Sequence, residues 1–204
     1  MNRLSNQPQV PLHKQKKTTD TYDIFPAFQL EPNKIQSGYT GLFDKLKTSR
    51  IIILDGYVGV DWSEVAAAIS DYFSQIGVEF NLINCAYYYK KVDELEKLTA
   101  PFLGNEDPVF GKKTDLCIKD YFQSDFLSEF DSLPQATTII YGCGASLCGI
   151  DGSLVYFDLP KNELQYRMRA GSVTNLAIDE LKNPKQAYKH FFFVDWVVCN
   201  KEKK

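Results

Sequence analysis

The sequence predicts an α/β domain of three layers, with helices on both faces of a mostly parallel sheet. Three observations carry this reading. Short, β-rich apolar runs alternate with helical patterns, and several of the runs are continuous, as strands covered on both faces are. The 204 residues are 44% hydrophobic and 14% aromatic, enough to pack a core in a domain of ordinary size. No Pro/Gly/Ser-rich linker and no internal repeat divides the chain.

Residues 1–20 are polar, with Lys14, Lys16 and Lys17 close together, and read as a flexible arm before a domain over 21–204. "RIIILDG" is a strand ended by glycine. "DWSEVAAAISDYFSQIG" is a helix with Trp62, Val65, Ala66, Ile69, Phe73 and Ile76 on one face. Asp61 caps its start, with Glu64 at capping-box spacing, and Gly77 ends it. "VEFNLINCAYYY" is a second strand, and "KVDELEKL" and "IKDYFQSDFLSEFDSL" are helices. "TTIIYG" and "SLVYFDLP" are further strands, "KNELQYRMRAG" and "NPKQAYKH" helices, and "FFFVDWVVC" a last strand.

A net charge of −3 argues against nucleic acid as the main partner. No apolar run approaches the ~20 residues of a membrane span, and the start lacks a signal-peptide pattern. The cysteines, Cys85, Cys117, Cys143, Cys148 and Cys199, are odd in number and show no C-x-x-C pair, which fits a reduced, cytoplasmic protein. Only two histidines occur, His13 and His190, so a His-rich metal site is not expected.

"ILDGYVGVDWSE" reads as a buried strand, a glycine turn and a helix start, a geometry that aims backbone N–H groups and the positive helix end at an anion. The phosphate loop G-x-x-x-x-G-K-[ST], laid from Gly56, keeps the first glycine and Ser63. Asp61 takes the place of the second glycine, and Trp62 that of the lysine that would reach the phosphates. The segment is therefore either a modified anion site, with Gly56, Gly59 and Ser63 as its candidates, or a plain corner capped by Asp61 and packed by Trp62. Lys112 and Lys113 of "FGKKT" are local candidates for the missing lysine, or a solvated pair.

In "VYFDLPKNELQYRMRAGS", a strand ends at Asp158 and Pro160, and a helix with Arg167 and Arg169 follows. This resembles P-loop nucleoside and nucleotide kinases, whose corresponding helix forms part of a lid over the phosphates. The resemblance implies a P-loop NTPase-like fold and adds Arg167 and Arg169 as anion-site candidates, against a reading as solvated or salt-bridged arginines. "NCAYYYK" looks like the acceptor-side strand end, but Asn84 and Cys85 stand where a base is expected. "IIYGCGASL" resembles the third strand, with Tyr141 where a carboxylate usually precedes the glycine.

The runs "LDGYVGVDW", "PFLGNEDPVFGKKT", "IIYGCGASL", "DLPKNELQYRMRAGSVTNL" and "YKHFFFVDWVV" are also similar to the N-terminal region of long bacterial class I mannose-6-phosphate isomerases. There, a kinase-like domain precedes a cupin domain that holds the zinc isomerase site. The resemblance covers roughly residues 20–200 and implies an isomerase setting in hexose-phosphate metabolism. With "CNKEKK" as its end, the chain reads as a truncated or stand-alone form of that region. A zinc cupin needs several His and Glu ligands, so no catalytic residue, metal site or cofactor is expected in this chain, zinc belonging to a following cupin.

Cys143 and Cys148 share a Gly-rich turn, as packing cysteines or a redox pair, and "YYYKK" reads as a strand-end cluster or a stacking surface. The functional expectation is a catalytically degenerate kinase-like domain that binds a phosphorylated small molecule or docks on an isomerase domain of the same polypeptide. The alternatives are an active nucleoside or sugar phosphotransferase with an unorthodox loop, and a purely structural interaction module.

Overall fold

The computed structural model describes residues 30–203, except 106, 108, 125, 127–135, 179, 181 and 182. The expected arm at 1–20 lies outside these residues. Four strands, β1 (Ile51–Gly56), β2 (Phe80–Asn84), β3 (Thr137–Tyr141) and β4 (Ser153–Phe157), form one sheet. Every pairing is parallel and the order is β2-β3-β1-β4. β1 is thus interior, with Ile53 opposite Ile140 of β3 and Leu154 of β4.

Successive residues of a strand face opposite sides, and β1 shows how one apolar run serves two layers. Ile52 and Leu54 pack with Phe43, Leu46, Val65, Ile69 and Phe73. These come from α1 (Thr40–Leu46) and α2 (Trp62–Gln75). Ile53 packs on the other face, in a core that includes Leu95, Leu164, Ala187, Val194 and Val198. That layer holds α3 (Val92–Leu103), α4 (Lys161–Arg169), α5 (Pro184–His190) and α6 (Trp196–Glu202). The three-layer α/β arrangement with a parallel sheet therefore stands as expected.

α2 starts as its sequence indicates. Asp61 Oδ1 accepts from the Glu64 amide at 3.1 Å, replacing one of the hydrogen bonds a helix start lacks. The helix ends at Gln75, with Gly77 just beyond it at φ +68°. Val65, Ile69 and Phe73 are buried, whereas Ile76 is exposed.

The expected last strand, "FFFVDWVVC", is helical. Residues 191–195 form a π-helical turn between α5 and α6. Phe191, Val194, Trp196, Val198 and Cys199 are buried. A short, continuous apolar run reads alike for a buried strand and a buried helix, and the helix that starts at Pro184 carries through it. α1 was not anticipated. Of the helix expected from Ile118, the structure shows a 3₁₀ turn over Ile118–Tyr121; most of the remainder lies outside the described residues.

Candidate functional site

In an open parallel sheet, crevices form at the carboxyl ends of strands whose connections run in opposite directions. Here β1 leads toward β2 on one side, while its neighbour β3 leads to β4 on the other. A cleft of about 690 Å³ lies at that point. One wall is the turn after β1, from Val58 to Ser63; Asn84 ends β2, and Ala86 and Tyr89 follow it; Gly142 and Cys143 follow β3; residues 171–177 close it.

Three amides of the turn after β1 are committed within the turn or to β4. The Tyr57 amide donates to Phe157 O at 2.9 Å, Val60 to Tyr57 O at 3.3 Å, and Trp62 to Val60 O at 3.0 Å. The Asp61 carboxylate accepts from Glu64 N and, at 2.6 Å, from Ser63 Oγ. Trp62 packs edge-on against Phe157 and tilted against Tyr141. Both glycines of the turn have packing reasons. A Cβ on Gly56 would stand 2.6 Å from Phe157 O, and Gly59, at φ +87°, lies against Leu164.

The candidate residues are not gathered in one place. Gly59 and Ser63 line the cleft. Gly56 ends β1 beside them, buried. Arg167 touches the turn from behind: its Nη1 donates to Gly59 O at 3.0 Å and its Nε pairs with Glu163 at 3.2 Å. It lines a smaller pocket with Tyr39, Asp61, Glu64 and Asp158. Arg169 is exposed in a separate groove beside Val109, Met168 and Tyr188. Lys112 and Lys113 are exposed and do not line the cleft.

Three groups outside the expected anion-site residues organise the site. The first is Asp55, buried at the end of β1. Its carboxylate accepts from the amides of Gly56 at 2.6 Å, Gly144 at 2.8 Å and Ser146 at 3.0 Å, and from Ser146 Oγ at 2.5 Å. It thereby fixes the turn after β3. Its signal was present as an acid in an apolar strand, directly before glycine.

The second group holds the far wall. Asn175 is buried, and its Nδ2 donates to Asp195 Oδ2 at 2.7 Å and to Ala187 O at 3.1 Å. His190 Nδ1 lies 2.9 Å from Asp195 Oδ1, both side chains being almost wholly buried. The π turn is what brings residues 190 and 195 together. Beside Asn175, Ala177 adopts φ +57°, a conformation a non-glycine residue holds only when its surroundings impose it.

The third lies under the cleft. Cys143 Sγ is 3.8 Å from Cys199 Sγ, and the Cys143 carbonyl accepts from Tyr89 Oη at 2.6 Å and Cys85 Sγ at 3.4 Å. The hydrogen bond to Cys199 and burial push the Cys143 thiol up; burial, then the Asp55 charge, does the same to Cys85. The structure thus sets Cys199 against Cys143; Cys148, its partner only in the alternative redox-pair reading, is a buried free cysteine. Among the described residues, no group of three or more His, Cys, Asp or Glu is placed to hold a metal ion, and no helix is long and apolar enough to cross a membrane.

Residues 38–204 match the family described as "Domain of unknown function (DUF8485)". The chain belongs to this family. The match takes in every strand of the sheet and every wall of the cleft, so the DUF8485 domain and the α/β unit described above coincide. No curated protein and no solved structure matches the chain.

Proposed function

We propose that this DUF8485 domain is a kinase-like module that does not transfer phosphate and uses its strand-end cleft to bind a polar ligand without a phosphate group. One observation carries the reading: among the described residues, Asp61 is the only charged side chain that lines the cleft. A polyphosphate there would meet a carboxylate and no cation, and like charges in a partly desolvated site repel. Arg167, the nearest candidate cation, is already bonded to Gly59 O and Glu163. The amides of Tyr57, Val60 and Trp62 are committed within the turn and to β4, where a phosphate loop would leave its amides free for the ligand.

The P-loop-like origin is part of the proposal. It is supported by the glycine turn between an interior parallel strand and a helix, and by α4, which follows "DLP" and lays Leu164 and Arg167 on that turn. An association with mannose-6-phosphate isomerase is proposed as the setting, with a non-catalytic role. It is supported by the runs "LDGYVGVDW", "IIYGCGASL" and "DLPKNELQYRMRAGSVTNL", which build three walls of the cleft.

Calorimetric titration tests the reading, with MgATP and with inorganic phosphate. Neither should bind at sub-millimolar concentration. A micromolar dissociation constant for MgATP would overturn it in favour of an active phosphotransferase.

A further inference from the structure

Cys143 and Cys199 come from segments 56 residues apart in sequence, yet their sulfurs lie 3.8 Å apart. Cys143 follows β3 and lines the cleft with 7% of its surface exposed; Cys199 lies on α6 with 1% exposed. Cys143 therefore borders the cleft, with its sulfur turned to Cys199 behind it. Two thiols in contact beside a cleft are a pair that an oxidant can join. The remaining cysteines do not compete. Cys85 turns its sulfur to the Cys143 carbonyl. Cys148 is buried at the end of the 3₁₀ turn that follows. Cys117 lies before the 3₁₀ turn at Ile118. A disulfide requires the two sulfurs to close by about 1.8 Å, to a bond of about 2.0 Å.

We propose that Cys143 and Cys199 are an oxidation site, converted to a disulfide by a peroxide that enters through the cleft. The Cys143 thiolate attacks one peroxide oxygen and the O–O bond breaks. The sulfur becomes a sulfenic acid, and the second oxygen leaves and takes up a proton as water. Cys199 then attacks that sulfur, the S–S bond forms, and the sulfenic hydroxyl leaves as a second water. In sum, two thiols lose two hydrogens and one hydrogen peroxide becomes two waters. The product ties the turn after β3, which Asp55 holds, to α6.

The hydrogen bond to Cys199, then burial, keeps the Cys143 thiol protonated well above its ordinary range, so the step is slow at neutral pH and quickens as pH rises. The experiment uses the full chain, shown folded by circular dichroism. It is treated with hydrogen peroxide at mildly alkaline pH, blocked with a thiol reagent, digested without reductant and analysed by mass spectrometry. The expected product is a peptide pair joined through Cys143 and Cys199, with two of the five thiols lost. In Cys199→Ser, Cys143 should be captured by dimedone as a sulfenic acid, whereas Cys148→Ser should leave the cross-link intact. The proposal is overturned if the folded chain joins Cys143 to another cysteine. It is equally overturned if the chain stays unlinked under peroxide that links the denatured chain.

Discussion

The guanidinium of Arg167 donates to the carbonyl of Gly59 at 3.0 Å, so the charge of α4 braces the back of the glycine turn. The neighbouring Arg169 makes no such contact and is exposed in another groove. Arg167 is mostly covered and also pairs with Glu163. Hydrogen bonds to charged groups contribute about 1.5–3 kcal/mol. Arg167→Ala should therefore lower stability by about 1–2 kcal/mol in urea unfolding, after discounting the partial exposure. Arg169→Ala should stay within about 0.5 kcal/mol. Equal effects of the two would contradict the assignment.

Asp55 should be the more sensitive position. Asp55→Ala strips the acceptor from the amides of Gly144 and Ser146 and from the Ser146 hydroxyl. Each buried donor left unpaired costs about 1–3 kcal/mol, so a loss of about 3 kcal/mol or more is expected. Asp55→Asn keeps one acceptor oxygen and should cost less. Denaturant midpoints for the two variants give the ranking.

α1 and α2 are joined by a hydrogen bond whose pH limits follow from its chemistry. Tyr72 Oη donates to Asp44 Oδ1 at 2.5 Å. That bond, then Lys47, holds the Asp44 carboxyl below its usual value; the same bond, then burial, pushes Tyr72 up to about 12. Asp44, depressed in the fold, contributes stability above the ordinary carboxylate pKa of about 4 that is lost as pH falls through its lowered value. Tyr72, raised in the fold, contributes below its ordinary pKa of about 10 and loses that contribution as pH rises through about 12. The Tm difference between the native chain and Tyr72→Phe should be constant from about pH 6 to 9 and shrink at both extremes.

Asp195 should control the far wall of the cleft. Asp195→Ala leaves Asn175 and His190 without their buried partner. Each buried polar group left without its partner costs about 1–3 kcal/mol. Amide hydrogen exchange should quicken first at residues 172–177, ahead of the sheet. Uniform acceleration across the chain would show that the contact supports the whole core and not that wall.

Much of the frame was legible. β1, β3, β4, α2 and its Asp61 cap, α4 and α5 follow from apolar periodicity and end signals, which act over a few residues. The site was less so, because its contacts join distant segments: Asp55 to Gly144, Asn175 to Asp195, Cys143 to Cys199. No local pattern encodes such pairs. The run from Phe191 was misread for a different reason. Its aromatic and β-branched residues favour a strand, but burial within a helical layer decided otherwise. Arg167 was found through the family likeness, and its Glu163 partner has helical i,i+4 spacing, but its partner on the turn is a backbone carbonyl, which leaves no trace in side-chain spacing.

The π turn at 191–195 amounts to one residue spliced into an otherwise regular helix. Each helical residue turns the axis by about 100°, so the splice sets the azimuth at which α6 meets the rest of the molecule. Asn200 on Tyr57, Lys201 on the carbonyls of Asp115 and Leu116, and Lys203 on Asp158 all depend on that angle. Deleting Phe192, an exposed residue of the turn, would leave an ordinary helix of nearly the same composition. It would also swing these three anchors off their targets together. In this molecule a change in length by one residue is a more drastic mutation than most changes of identity.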